Sequence, residues 1–226
     1  CMSDNTTGSS NVAMGVNALR LNTTADNNTA LGHEASRYNT TGNNNVAVGK
    51  NALHQNTTGV YNTAVGSLAL ENNTDQSNST AVGYKALYGT GTTGYDNTAI
   101  GREALRDNSS GYRNVAIGMY AMKIATGADL NCVIGYNAGV AMTSSTESVI
   151  IGYSAGSSAT TPGHNVYVGY SAGGSATTGG NNVMVGSMAG DHDTNTVGGY
   201  QNTYVGSRCN GNGASNNDEC VFGYNI

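Results

Sequence analysis

The chain has 226 residues, of which only 10% are charged, with no Trp, one Phe, one Pro and 33 Gly. A net charge of −5 provides no basic footprint for nucleic acid, and no apolar run approaches the roughly 18 residues that a membrane-spanning helix needs. Richness in Asn, Thr and Gly would suit disorder, but the apolar residues recur at fixed positions, which disorder does not require.

The recurrence is a repeat. With the glycine of each copy as origin, the anchors in chain order are Gly15, Gly32, Gly49, Gly66, Gly83, Gly101, Gly118, Gly135, Gly152, Gly169, Gly186, Gly206 and Gly223. Every spacing is 17 residues except 18 between Gly83 and Gly101 and 20 between Gly186 and Gly206. No helical repeat is that short. The period predicts an all-β chain, a parallel β-solenoid (β-roll) of about thirteen 17-residue coils, forming a single repeat domain over residues 1–226. A coil cannot bury its own apolar edge, but stacked coils share a core and pair every strand.

Each coil reads in the same order. Four residues before the anchor stands Asn in ten copies: Asn11, Asn28, Asn45, Asn62, Asn97, Asn114, Asn131, Asn165, Asn182 and Asn202. Stacked at one corner, these amides are expected to form a ladder. The residue just before the anchor is always apolar, from Met14 to Phe222, and is read as the coil interior. The anchor supplies a structural turn that a Cβ would hinder. Three residues after it is Ala in eleven copies, a small inward side chain. Thr or Ser recurs eight residues after most anchors, as at Thr23, Thr40, Thr57 and Thr160, and suits a stacked turn column.

Two columns change together. Two before the anchor the chain reads Ala from Ala13 to Ala116, then Val133, Ile150, Tyr167, Met184, Tyr204 and Val221. Four after the anchor it reads mostly Leu up to Met122, then Gly139, Gly156, Gly173 and Gly190. This divides the domain into sub-blocks 1–125, with Ala and Leu columns, and 126–226, with bulky and Gly columns. Columns that trade volume at one rung share one packed space; strand alternation places that space opposite the interior column, as a contact between walls or chains.

The repeat "N-[VT]-A-[VI]-G-x-x-A-[LG]" resembles the coils of trimeric autotransporter adhesin heads. With its "NTTG" turns it is still more similar to the "NTAVG…AL…NTTG" repeats of bacteriophage tail fibres and related surface proteins. The resemblance covers Asn11 to Ile226. It implies a β-roll, usually with three chains about a common axis, working as a fibre or adhesin on a virion or cell surface and hence extracellular.

Nothing in the sequence points to an enzyme or to a cofactor. The histidines His33, His54, His164 and His192 occupy four different rung positions, no acidic pair for glycoside cleavage falls on neighbouring rungs, and "DHD" at Asp191 to Asp193 is read as a polar loop. Tyr84, Tyr136, Tyr153, Tyr170 and Tyr224 follow their anchors directly and are candidates for stacking on glycans. Cys209 and Cys220 are a candidate disulfide clamping the last two rungs, which would suit an oxidising compartment. The expected function is a structural fibre or spike: a stiff rod whose partners are copies of itself, as a homotrimer or by axial stacking, and a cell-surface glycan or receptor. Two alternatives stand beside it. A head-to-tail filament would place Gly223 and the next molecule's Gly15 eighteen residues apart, a spacing the chain already uses. An ice-binding solenoid would need a regular Thr face, which the alternation of Val12, Thr29, Val46 and Thr63 interrupts.

Overall fold

The computed structural model describes residues 1–89, 94–191, 199–210 and 217–224. They hold thirteen parallel strands of three residues each, spaced by the repeat, and form a β-solenoid without any helix. The chain folds as two compact units, Cys1–Arg113 and Asn114–Ile226. The first contains β1 (Val12–Met14), β2 (Thr29–Leu31), β3 (Val46–Val48), β4 (Thr63–Val65), β5 (Thr80–Val82) and β6 (Thr98–Ile100). The second contains β7 (Val115–Ile117), β8 (Cys132–Ile134), β9 (Val149–Ile151), β10 (Val166–Val168), β11 (Val183–Val185), β12 (Thr203–Val205) and β13 (Cys220–Phe222). Within each unit every strand pairs in register with the next, Ala47 on Ala64 in the first and Tyr167 on Met184 in the second. The unit boundary precedes the compositional one: β7 belongs to the second unit yet keeps Ala116.

The anchor glycines turn the chain as expected. Their φ values run from +127 to +152°, and a Cβ on Gly66 would meet the carbonyl carbon of the Gly83 anchor at 2.7 Å. Beyond the anchor the backbone alternates. The residues two and four after it are left-handed in rung after rung, for example Asn51 (φ 56°) and Leu53 (φ 52°). The resulting chain of tight turns is closed by Ala52 N–H to Gly49 O (3.3 Å) and Asn56 N–H to Leu53 O (3.4 Å).

The interior is the reverse of the expected one. Residues two before the anchor point inward: Ala30, Ala47, Ala64, Ala81, Ala99, Ala116, Val133, Ile150 and Tyr167 are all 0% exposed. Residues one before the anchor point outward with those three before it, since side chains alternate along a strand; each strand centre is the most buried of its three residues, as in β3 and β10. The alanines three after the anchor are buried as expected, Ala18 through Ala189. The volume-sharing columns therefore meet inside one coil. Leu53 and Leu105 are fully buried in the first unit, while in the second a Cβ on Gly173 would stand 2.9 Å from the Tyr167 ring.

The Asn ladder exists, and most of its bonds run between amide and backbone. Side-chain oxygens accept the backbone N–H of the next ladder residue, Asn28 to Asn11 and Asn45 to Asn28, both at 2.9 Å. Most amide nitrogens donate to a carbonyl fourteen residues on, as Asn28 to Gly42, Asn97 to Gly111 and Asn165 to Gly179; Asn182 reaches Gly199, and Asn131 and Asn202 also donate to the preceding ladder amide, Asn114 and Asn182, at 3.1 Å. A second column, seven after the anchor, does stack amide on amide. Asn22 donates to Asn5 (2.8 Å), Asn39 to Asn22 (3.0 Å) and Asn56 to Asn39 (2.7 Å). Asn39 also donates to Gly42 O, so that carbonyl takes two amides. In the second unit this column is Ala125, Met142, Ala159 and Ala176, equally buried and apolar. The threonine column bonds in the same axial sense, Thr40 Oγ1 to Thr57 O at 2.9 Å and Thr143 Oγ1 to Thr160 O at 3.1 Å.

Candidate functional site

In each unit two outward columns give the strands an outer face. The column three before the anchor is Val12, Thr29, Val46, Thr63, Thr80 and Thr98 in the first unit and Val115, Cys132, Val149, Val166, Val183, Thr203 and Cys220 in the second. The column one before it is Leu31, Val48, Val65, Val82 and Ile100, then Ile134, Ile151, Val168 and Val185. Neither column contains a charged residue anywhere in the chain. The side chains remain partly open to solvent, Ile100 at 38% and Val149 at 37%. Strands apolar on both faces are normally covered on both, and an exposed contiguous apolar patch marks an interaction surface.

The five tyrosine candidates are divided between the units. Tyr136, Tyr153 and Tyr170 lie together in the second unit, one per rung. Tyr136 and Tyr153 stack at 5.1 Å with 19° between planes, and Tyr153 and Tyr170 at 5.4 Å with 10°. Their faces are turned on one another, so the column presents ring edges and hydroxyls, whereas a sugar needs an open face. Tyr84 belongs to the first unit, where Lys85 and Arg102 approach its ring. Tyr224 is 72% exposed.

The expected Cys209–Cys220 disulfide is not formed; both thiols are free. The cause is strand alternation. Cys209, three after its anchor, points inward and directs Sγ to Val221 O at 3.1 Å, while Cys220 starts β13 on the outer face and is exposed. Cys132, which starts β8, is also on that outer face and is partly exposed.

His54, scattered in sequence from any partner, is buried beside Glu34, with Nε2 3.3 Å from Oε2. Arg37 reaches the other oxygen of Glu34 at 2.7 Å, and Tyr38 packs edge-on against the imidazole at 5.0 Å. Burial pushes the His54 pKa below its ordinary value, outweighing the pull of Glu34 and Glu71. His164 pairs with the exposed Glu147 at 3.0 Å. Among the described residues no three His, Cys, Asp or Glu side chains converge as metal ligands. His192, Asp193 and Ile226 lie outside the described residues. Compared with known proteins, the chain matches no family model, no curated protein and no solved structure.

Proposed function

We propose that this chain is a structural rod of a fibre or spike on a virion or cell surface, and that copies of it associate through the apolar outer face of the strands. The observation that carries the reading is the pair of uncharged, partly exposed β-branched columns. A second copy is the natural occupant because it carries the same two uncharged columns. Its ridges recur at the same strand spacing, about 4.8 Å, so the two faces can interleave rung by rung. Three copies about one axis, as the resemblance to adhesin heads and tail fibres implies, would bury the face on every chain.

Light scattering after size exclusion tests this on the full chain. The parent is expected to be oligomeric at micromolar concentration, and Val48→Lys with Val82→Lys, or Ile151→Lys with Val185→Lys, to shift it toward monomer without loss of β signal. A monomeric parent, or lysine variants that stay associated, would sink the proposal. A second reading, ice binding, draws on the threonines of the outer column, Thr29, Thr63, Thr80 and Thr98, although Val46 still interrupts a regular Thr face. Inhibition of ice recrystallisation by the parent, lost in the lysine variants, would favour that reading.

A further inference from the structure

We propose that the second unit carries a groove for a neutral saccharide, floored by Gly163, Gly179 and Gly180 and bounded by His164, Asn181 and Tyr200. The proposal deepens the adhesive part of the fibre reading and rests on it for biological sense, but it needs no association between chains. The groove has a volume of about 240 Å³, smaller than the roughly 300–1,000 Å³ of drug-sized ligand sites but large enough for one pyranose ring.

Its origin is a gap in one column. Six residues before the anchor the second unit pairs Thr146, Gly163, Gly180 and Tyr200 backbone to backbone on successive rungs. Thr146 and Tyr200 carry side chains and the two positions between them do not. Two missing side chains leave a notch spanning roughly 10 Å along the axis, from strand spacing. The backbone does not demand glycine there, since neither Gly163 nor Gly180 has a positive φ. At Gly163 packing does not demand it either: an added Cβ would meet nothing nearer than Thr146 Oγ1 at 4.0 Å. At Gly180 a Cβ would meet Gly163 O at 3.1 Å and the Tyr200 ring at 3.2 Å, so the ring packs against this glycine at one end of the notch.

The lining sets the ligand class. Tyr200 is 49% exposed and has no ring partner among the described residues, unlike the Tyr136–Tyr153–Tyr170 stack. It can therefore offer a face to the C–H side of a sugar. The Asn181 amide makes no hydrogen bond within the described residues, and the hydroxyls of Thr161 and Thr178 line the same space. His164 is held through Nε2 by Glu147, which leaves Nδ1 for a ligand hydroxyl. No Lys or Arg lines the groove and Glu147 stands beside it, so an anionic ligand would be repelled.

The test is saturation-transfer NMR on the full chain with the methyl glycosides of glucose, galactose, mannose and N-acetylglucosamine at millimolar concentration. At least one is expected to receive saturation. Gly163→Val, which fills the notch at an unstrained position, and Tyr200→Ala are each expected to weaken binding at least tenfold, while Tyr153→Ala leaves it unchanged. If one groove variant loses its circular dichroism signal, the other decides. Absence of transfer to all four glycosides, or a folded groove variant that binds like the parent, would overturn the proposal. Light scattering on the same samples reports association separately, so failure of the groove and failure of the fibre interface are told apart.

Discussion

The two units lay the same backbone around different interiors. In the first, alanine on the strand faces leucine on the turn, and an asparagine column closes the coil. In the second, Val133, Ile150, Tyr167 and Met184 fill from the strand side, glycine replaces the leucine, and alanine or methionine replaces the asparagine. The difference lies in where strain is taken. The position four after the anchor is left-handed in both, φ 52° at Leu53 and 55° at Gly156. A side chain there costs about 1–2 kcal/mol, which burial of a leucine, about 1.5–3 kcal/mol, roughly offsets. Glycine avoids the cost and leaves the volume to a strand residue whose backbone is relaxed. One rung geometry thus accepts two packings, provided that all three columns change together.

Mixing the two interiors breaks this comparison most severely. Gly156→Leu with Gly173→Leu drives side chains into Ile150 and Tyr167, which already lie 3.1 Å and 2.9 Å from where a Cβ would sit. Overpacking of this kind costs about 3 kcal/mol or more per site, and the second unit is expected to lose cooperative melting. The opposite exchange, Leu53→Gly with Leu70→Gly, empties space but relieves left-handed strain. From the usual 2–5 kcal/mol for a deleted leucine, about 1 returns as strain relief. Those variants should fold and melt earlier by circular dichroism. Equal melting of the two pairs would show that the columns do not share volume.

The asparagine column sharpens the same contrast at smaller magnitude. Asn39→Ala removes bonds to Asn22, Gly42 and Asn56 at a buried site and is expected to cost about 2 kcal/mol. Ala159→Asn in the second unit should cost a similar amount, because it buries an amide with no column to join. Adding Ala176→Asn one rung on should recover part of that loss. Purely additive losses in this cycle, read from denaturant melts, would show that amide stacking contributes nothing.

Much of this was legible in the sequence. Glycine spacing located the thirteen rungs, because one conformation recurs and glycine accepts it. The choice of inner face was not legible from hydrophobicity, since Ala64 and Val65 are both apolar. It was legible from volume: Ala64 and Leu70 become Tyr167 and Gly173, whereas the column of Val65 and Val168, which runs from Met14 to Phe222, shows no such paired exchange. The left-handed leucines were hidden because glycine reports that geometry only in the second unit. The inward thiol of Cys209 and the outward one of Cys220 followed from the same unresolved choice of face. Gly163 reads as an ordinary turn residue, so the groove needed coordinates.

The smallest expected effect belongs to the first unit alone. His54 titrates below its unfolded value of about 6.5 because it is buried, so its neutral form favours the folded state. The associated stability is fully present above pH 6.5 and is lost as pH falls through the folded pKa. The carboxylate of Asp26, held low by the Ser9 N–H and hydroxyl, loses its contribution only below the ordinary carboxylate range. Between pH 7.5 and 5 the parent should therefore lose more melting temperature than His54→Gln. Equal losses would place His54 outside the pH response.

Among the described residues, bonds between rungs run to the rung before and the rung after, through Asn, Thr and anchor positions that coincide with the repeat itself. A seventeen-residue segment such as 46–62 can then be removed, or duplicated, and each severed bond finds an equivalent partner one period away. Length becomes a heritable quantity that changes in whole rungs by unequal recombination, while cross-section, outer face and fold stay constant. Rung number can then change without passing through an unfolded ancestor.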